Sequence, residues 1–505
     1  MPNYANKAAK GAFIIFMNYC LTQLVSYLVR LLYARNLTTT EFGLFYAVFG
    51  FLSLLTIFKE FGLNEALTKF ISEYLVTKKF KDIKNAIFYS SVIQFLFTGF
   101  IVLALFVFSE ALALNYFHNP YASLVLRVLA FSFWFDSFTI VLKNSFLGFQ
   151  RHGLFSGITA LKMTFILIVS IILFRLDMGI LSSVYAYFFS PFLIIILFYP
   201  ILVENVFPLF RKIKASFDKT LMKRLFRYGI PMMLSSIGTV ILGYTDTLFL
   251  TYYSLDWVAL YNIAMPTARI VIMAVVPLST TVFPMASELW TKGKKETLNK
   301  GIEFLYKYSA LIVIPLALIL FTFSENIIGL LFGRKFFEYN ITLFGSTFLA
   351  VTLCMQILLV GMVFFTMTFI NSSTLMGIGY PKKQMQIVYI VSGLNILLNA
   401  FLVPLYGVVG AAVSTSLSYM ISLVLGIVFL RKYLLFKMPW AYWAKNLLVG
   451  VVVVLIIFFL KRTIELNPFF ELIAIGSVAA LSYAVLVFLF KLINIDDIKQ
   501  IKSMV

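Results

Sequence analysis

Arg30, Arg127, Asp136, Lys143, Lys162, Asp246 and Arg269 each lie inside a run of apolar residues. A charge held in hydrocarbon costs on the order of 3 kcal/mol by insertion scales and more by simulation. Such residues persist where they face a polar interior, pair with one another or reach a headgroup layer. Five of the seven are cationic. An arginine fork grips two anionic oxygens at once, and a lysine ammonium binds them as a point charge. That cationic sign points toward an anionic cargo. Asp136 and Lys143, seven residues apart, share a helical face, and Lys143 and Lys162 fall at similar depths of neighbouring segments. Arg127 is nine residues from Asp136 and points the other way, toward a headgroup layer. Asp136 and Asp246 read first as structural partners of a cation and second as ion-coupling sites.

The elements that position these residues are helices long enough to cross a membrane. The 505-residue chain is 61% apolar and 12% charged, where an average soluble protein is roughly 45–50% apolar. Apolar runs of about 20 residues recur along it, each able to span a hydrocarbon core of roughly 30 Å. They are continuous rather than alternating, which excludes a β-barrel. Fourteen spans are expected between residues 11 and 490, among them 41–58, 120–148, 153–174, 225–253 and 258–288. The expected class is an all-α polytopic membrane protein. No stretch of 60 polar residues leaves room for a soluble catalytic domain. The two cysteines and two histidines, Cys20, Cys354, His118 and His152, fit neither a disulfide nor a metal centre.

Charge sets the orientation. Thirty lysines and arginines fall on the connections of one side, counting 59–84 as the first long one, against six on the other. By the positive-inside rule the chain lies in the cell membrane with both termini cytoplasmic. The net charge of +20 then reflects cytoplasmic loops and anionic headgroups, not nucleic acid. In the 59–84 connection, Phe61, Leu63, Leu67, Phe70, Ile71 and Leu75 recur at helical spacing with Lys69, Glu73, Lys78 and Lys79 between them. It reads either as an interfacial helix whose lysines meet headgroups or as an extension of the second span.

The chain also repeats itself at a shift of 216. Glu41-Phe-Gly-Leu-Phe-Tyr-Ala47 falls on Trp257-Val-Ala-Leu-Tyr-Asn-Ile263, and Arg30 falls on Asp246. Gln23, Ser26 and Arg30 share one face of the first span, as Thr239, Gly243 and Asp246 do of the seventh. Six spans per unit, an even number, makes this a parallel repeat.

Specific motifs now carry a family likeness. Ala34-Arg-Asn-Leu-Thr-Thr-Thr-Glu-Phe-Gly-Leu-Phe45 and Phe61-Gly-Leu-Asn-Glu-Ala66 resemble the opening of polysaccharide-repeat-unit flippases. These belong to the multidrug/oligosaccharidyl-lipid/polysaccharide exporter superfamily. Tyr228-Gly-Ile-Pro231, Leu260-Tyr-Asn262, Phe283-Pro284 and Asn371-Ser-Ser-Thr-Leu-Met-Gly-Ile-Gly-Tyr-Pro381 extend the likeness through the second half. The resemblance implies two six-helix lobes in a V, here 1–210 and 211–435, with accessory spans and a cytoplasmic tail in 436–505. It implies alternating access of a central cavity that moves a polyprenyl-linked glycan, joined through phosphate or pyrophosphate, to the outer leaflet. Arg269, Arg30, Lys143 and Lys162 would line that cavity, and Asp246, Asp136 and Arg30 would gate or couple it. The expected partners are membrane lipids and the glycan lipid, with a monomer as the working unit. No cofactor is implied, and Na+ and H+ both stand as coupling ions. A cation-coupled multidrug exporter is the competing reading on the same frame. Such exporters need acidic cavities for cationic drugs, whereas cations here outnumber acids five to two.

Overall fold

The computed structural model describes residues 2–493 apart from 217, 274, 344 and 465, so the tail lysines Lys499 and Lys502 lie outside it. It divides into two units, Met1–Ala259 and Leu260–Val505. In the first, α1 (Pro2–Asn36), α2 (Thr39–Glu60), α3 (Leu63–Val76), α4 (Phe80–Asn115), α5 (Ala122–Gly148), α6 (His152–Phe174) and α7 (Ile180–Pro200) follow in order. A π-helical turn at Ile201–Val206, the short α8 (Leu209–Lys212) and α9 (Lys219–Tyr253) complete it. α10 (Leu255–Ala268) runs across the boundary. α11 (Ile270–Met273), α12 (Val276–Thr291), α13 (Lys295–Thr322) and α14 (Ser324–Leu331) open the second unit. A two-stranded hairpin, β1 (Asn340–Leu343) and β2 (Ser346–Leu349), precedes α15 (Ala350–Gly377), α16 (Pro381–Leu430), α17 (Trp440–Thr463) and α18 (Pro468–Leu489).

Among the described residues, twelve helices are individually long and apolar enough to cross a membrane, where fourteen spans were expected. The difference lies at two places. α16 is one 50-residue run containing Gly407 at φ 55°, a left-handed kink joining two helices. The expected span 258–288 is broken into α10, α11 and α12, each too short alone. Arg269 occupies the turn between the first two pieces, three residues after Pro266.

α3 is the amphipathic helix expected in this connection and not an extension of α2. Phe61 and Gly62 both take positive φ, 45° and 65°, so α2 stops and α3 begins in a new direction. Its apolar face, with Leu63, Leu67, Phe70 and Ile71, is buried in protein against α4, α5 and α9 rather than laid on lipid. The amphipathic pattern was legible, but a pattern does not say whether protein or lipid covers the apolar side. α3 also holds the start of α9. Arg224 reaches Glu73 at 2.9 Å and the Tyr74 hydroxyl at 3.0 Å, and Lys69 lies 4.3 Å from the Tyr228 ring. Burial pushes the Tyr74 phenol above its ordinary pKa, against the opposing pull of Arg224.

The close approach of α3 to α9 needs glycine. A Cβ on Gly62 would meet the Gly229 carbonyl oxygen at 2.0 Å, on a backbone already in the left-handed region. Gly62→Ala is therefore expected to destabilise the protein by at least about 2 kcal/mol, combining left-handed strain with overpacking. Gly243→Ala in α9, where a Cβ meets nothing within 4 Å, is expected to be neutral or slightly stabilising. Thermal unfolding of the two purified variants in detergent checks the contrast.

Thr40 Oγ1 donates to Asp256 Oδ1 at 2.7 Å, and these residues are 216 apart, equivalent positions under the shift read from the sequence. In the second unit, Asn371 of the expected motif ties three helices together. It accepts from the Tyr306 hydroxyl on α13, and its amide donates to the Leu423 carbonyl on α16 at 3.3 Å. Asn446 does the same for α17, donating to Ala310 O at 2.7 Å while accepting from Tyr483 of α18 at 2.7 Å.

Candidate functional site

The densest charge cluster in the membrane-spanning part of the first unit surrounds Asp136 on α5. Lys162 of α6 places Nζ 2.5 Å from Oδ1, and Lys59 of α2 places Nζ 3.5 Å from Oδ2. Lys59 also donates to the Phe133 carbonyl at 3.0 Å and lies 4.2 Å from the Phe133 ring. Its side chain is 0% exposed, against 22% for Asp136 and 19% for Lys162. One carboxylate thus holds two ammonium groups, one sealed in the core and one within reach of an incoming ligand.

Lys143, two turns further along α5, is half-buried with its ammonium 5.0 Å from the Phe155 ring. It makes no ion pair with a carboxylate among the described residues. Asp136 therefore pairs across helices with Lys162 and Lys59, not along its own helix with Lys143. The cluster continues as a polar seam. Asn64 accepts from Gln94 Nε2 at 3.0 Å, and the hydroxyls of Ser90, Thr98 and Thr139 and the Gln94 carbonyl oxygen are buried without a hydrogen-bond partner among the described residues. Ser90, Gln94 and Thr98 recur every fourth residue on one face of α4. Buried polar atoms of this kind are ordinarily satisfied by ordered water.

Sequence reasoning missed Lys59. It counted Lys59 in the connection after the second span, because a charged Lys-Glu pair followed by Phe-Gly reads as a loop. The structure keeps Lys59 in the last turn of α2, and its long side chain turns back into the helix bundle. The available signal was the left-handed break at Phe61-Gly62, one residue after the pair, which ends the helix beyond Lys59 rather than before it.

The other expected residues lie elsewhere. Arg30 on α1 sits half-buried with its guanidinium 4.2 Å from the Tyr46 ring. Beside it Tyr33 shares a 2.8 Å hydrogen bond with Ser170, and Tyr187 packs against Phe45 and Phe49. Asp246 is buried in α9 at 3% exposure, flanked by Thr245 and Thr247, with Thr251 beyond. Arg269 belongs to the second unit and is exposed in the turn between α10 and α11. Arg127 donates to Ser109 at 2.7 Å and pairs with exposed Glu110 at 2.9 Å, away from the cluster, as its phase on the helix predicts.

Comparison with known proteins follows the same lines. The family model described as "Polysaccharide biosynthesis protein" matches residues 8–290, and the MatE model matches residues 231–401. The uncharacterized membrane protein MJ1068 of Methanocaldococcus jannaschii is 33% identical over 515 residues, covering 99% of each chain. The probable low-salt glycan biosynthesis flippase Agl15 of Haloferax volcanii is 22% identical over 446 residues, 87% of each. Among solved structures, the lipid II flippase MurJ in its inward closed conformation superposes with a TM-score of 0.75 at 18% identity. That match covers 95% of this chain and 99% of the other, and at such identity the likeness is one of fold.

Proposed function

We propose that this chain, which belongs to the polysaccharide biosynthesis protein family of the multidrug/oligosaccharidyl-lipid/polysaccharide exporter superfamily, flips a polyprenyl-linked oligosaccharide across the cell membrane. The glycan is joined to its carrier through phosphate or pyrophosphate and moves from the cytoplasmic to the outer leaflet, with both termini of the protein cytoplasmic. No covalent step is involved. The relatives named as flippases support the class of transport. What carries the anionic headgroup is the cluster of Lys59, Lys143 and Lys162 around Asp136, where three ammonium groups outnumber the carboxylates of Asp136 and neighbouring Glu60.

The physics of the cargo fits that cluster. A polyprenyl tail stays in lipid, but a pyrophosphate and its sugars cannot cross hydrocarbon without replacing their hydration. Lys143, which makes no ion pair with a carboxylate among the described residues, supplies an open ammonium. Lys162 exchanges part of its bond to Asp136 for a phosphate oxygen, while buried Lys59 keeps Asp136 in place. The same excess of cations disfavours a cationic drug as cargo. In this reading Arg30 with Asp246 gates the path. Arg30→Ala and Asp246→Ala are each expected to lower transport severalfold, and unchanged transport in both variants retires the gate.

Binding gives a first test. The purified protein should take up a polyprenyl pyrophosphate oligosaccharide at least tenfold more tightly than the neutral polyprenol, with a preference that weakens as salt rises. Equal affinity for the two lipids would remove the phosphate-recognition step.

A further inference from the structure

The first unit carries a second feature that its transport chemistry does not use. Between α4, α5 and α7 runs an apolar groove of about 400 Å³, lined by Phe88, Phe135, Phe138, Phe192, Tyr199 and Phe210 among others. Phe88, Ile196 and Tyr199 are exposed along it, so it opens sideways to whatever surrounds the spans. Pro200 lacks a backbone donor, and the chain after it widens into the π-helical turn Ile201–Val206 before α8 folds Phe210 over the end of the groove.

That end is basic. Lys84 Nζ donates to the carbonyls of Phe210 at 2.6 Å and Ile213 at 2.5 Å, and lies 4.7 Å from the Phe210 ring. An ammonium has three donors, so one remains for an outside acceptor. Lys212 and Lys214 are exposed on the same segment and make no ion pair with a carboxylate among the described residues, while Arg211 is held by Glu204 at 3.0 Å.

We propose that this groove is a binding site for an anionic membrane phospholipid, with one hydrocarbon chain along the aromatic lining and the phosphate at Lys84, Lys212 and Lys214. An apolar channel ending at a cluster of lysines has the two-part chemistry of such a lipid. A basic pocket at the ends of membrane helices is where an anionic headgroup gains most over a neutral one. A neutral lipid would fill the groove without using the lysines, and a soluble anion would use the lysines without filling the groove. The site rests on this geometry alone and is independent of the glycan-transport reading.

Native mass spectrometry of the full-length protein in neutral detergent tests it, with phosphatidylglycerol as the probe and phosphatidylcholine as its neutral match. The wild type should retain phosphatidylglycerol with about a tenfold preference. K212E/K214E should reduce that preference to below threefold. Ser91 lies on the groove wall, and S91F, by filling the groove, should reduce retention of the lipid altogether. K292E/K294E, the same charge change at exposed lysines between α12 and α13, should leave the preference intact. The proposal is overturned if K212E/K214E retains the wild-type preference, if K292E/K294E loses it equally, or if S91F binds the lipid normally.

Discussion

Asp136→Ala is expected to destabilise the folded protein by about 3–5 kcal/mol, the usual effect of removing one member of a buried ion pair. The reason is Lys59, not the lost attraction itself. Its side chain is fully buried, and its other hydrogen bond among the described residues is to the Phe133 carbonyl at 3.0 Å. Without Asp136 its sealed charge loses its ion-pair partner and is left with the weaker attraction of neighbouring Glu60 against the repulsion of the Lys162 ammonium. The same argument predicts a rescue: adding Lys59→Met to Asp136→Leu removes the sealed charge and replaces the polar pair by apolar volume. That double variant should recover much of the stability while transport stays low. Thermal unfolding of the single and double variants in detergent checks both halves. A single variant as stable as the wild type would mean that the triad contributes nothing to the fold.

Lys143→Gln is expected to do the opposite, leaving stability within about 0.5 kcal/mol, as for substitutions away from special features, and lowering transport about 10- to 100-fold. Lys143 has an aromatic neighbour and no carboxylate partner among the described residues, so little native structure depends on its charge. A hydrogen bond to a charged ligand contributes about 1.5–3 kcal/mol, which sets the size of the loss. Arg127→Gln is the matched control. Its pair with Glu110 is 38% and 76% exposed, a class of interaction contributing about 0–1 kcal/mol, and transport should not change. Rates of glycan-lipid movement in reconstituted vesicles, normalised to folded protein, read out both variants.

Helical phase and depth, read from the sequence, put Asp136, Lys143 and Lys162 on neighbouring spans and turned Arg127 away from Asp136, and the structure has Asp136 beside Lys162 and Arg127 on Ser109 and Glu110. Partners were another matter. Phase along α5 put Asp136 and Lys143 on one face without naming a partner for the carboxylate, and the lysines that reach it come from α6 and α2. Helix packing decides such pairs, and packing is not written in the periodicity of one segment. Lys59 was lost for a related reason, because a charge at the end of an apolar run looks like the start of a loop until its side chain is seen to fold back. The break of the expected span 258–288 around Arg269 is also a tertiary outcome. Pro266 marks it in the sequence, but most prolines in membrane helices leave the span continuous. The helical, membrane-spanning class was legible because continuous apolar runs have few other solutions.

The central claim is that a phosphate-linked glycan lipid is moved by this cationic frame. Its most direct test is translocation of a fluorescent polyprenyl pyrophosphate oligosaccharide in vesicles that contain the purified protein and no other. The account predicts leaflet exchange well above that of empty vesicles, reduced at least tenfold by Lys143→Gln and unaffected by Arg127→Gln. Export of a cationic dye with no movement of the glycan lipid would contradict it.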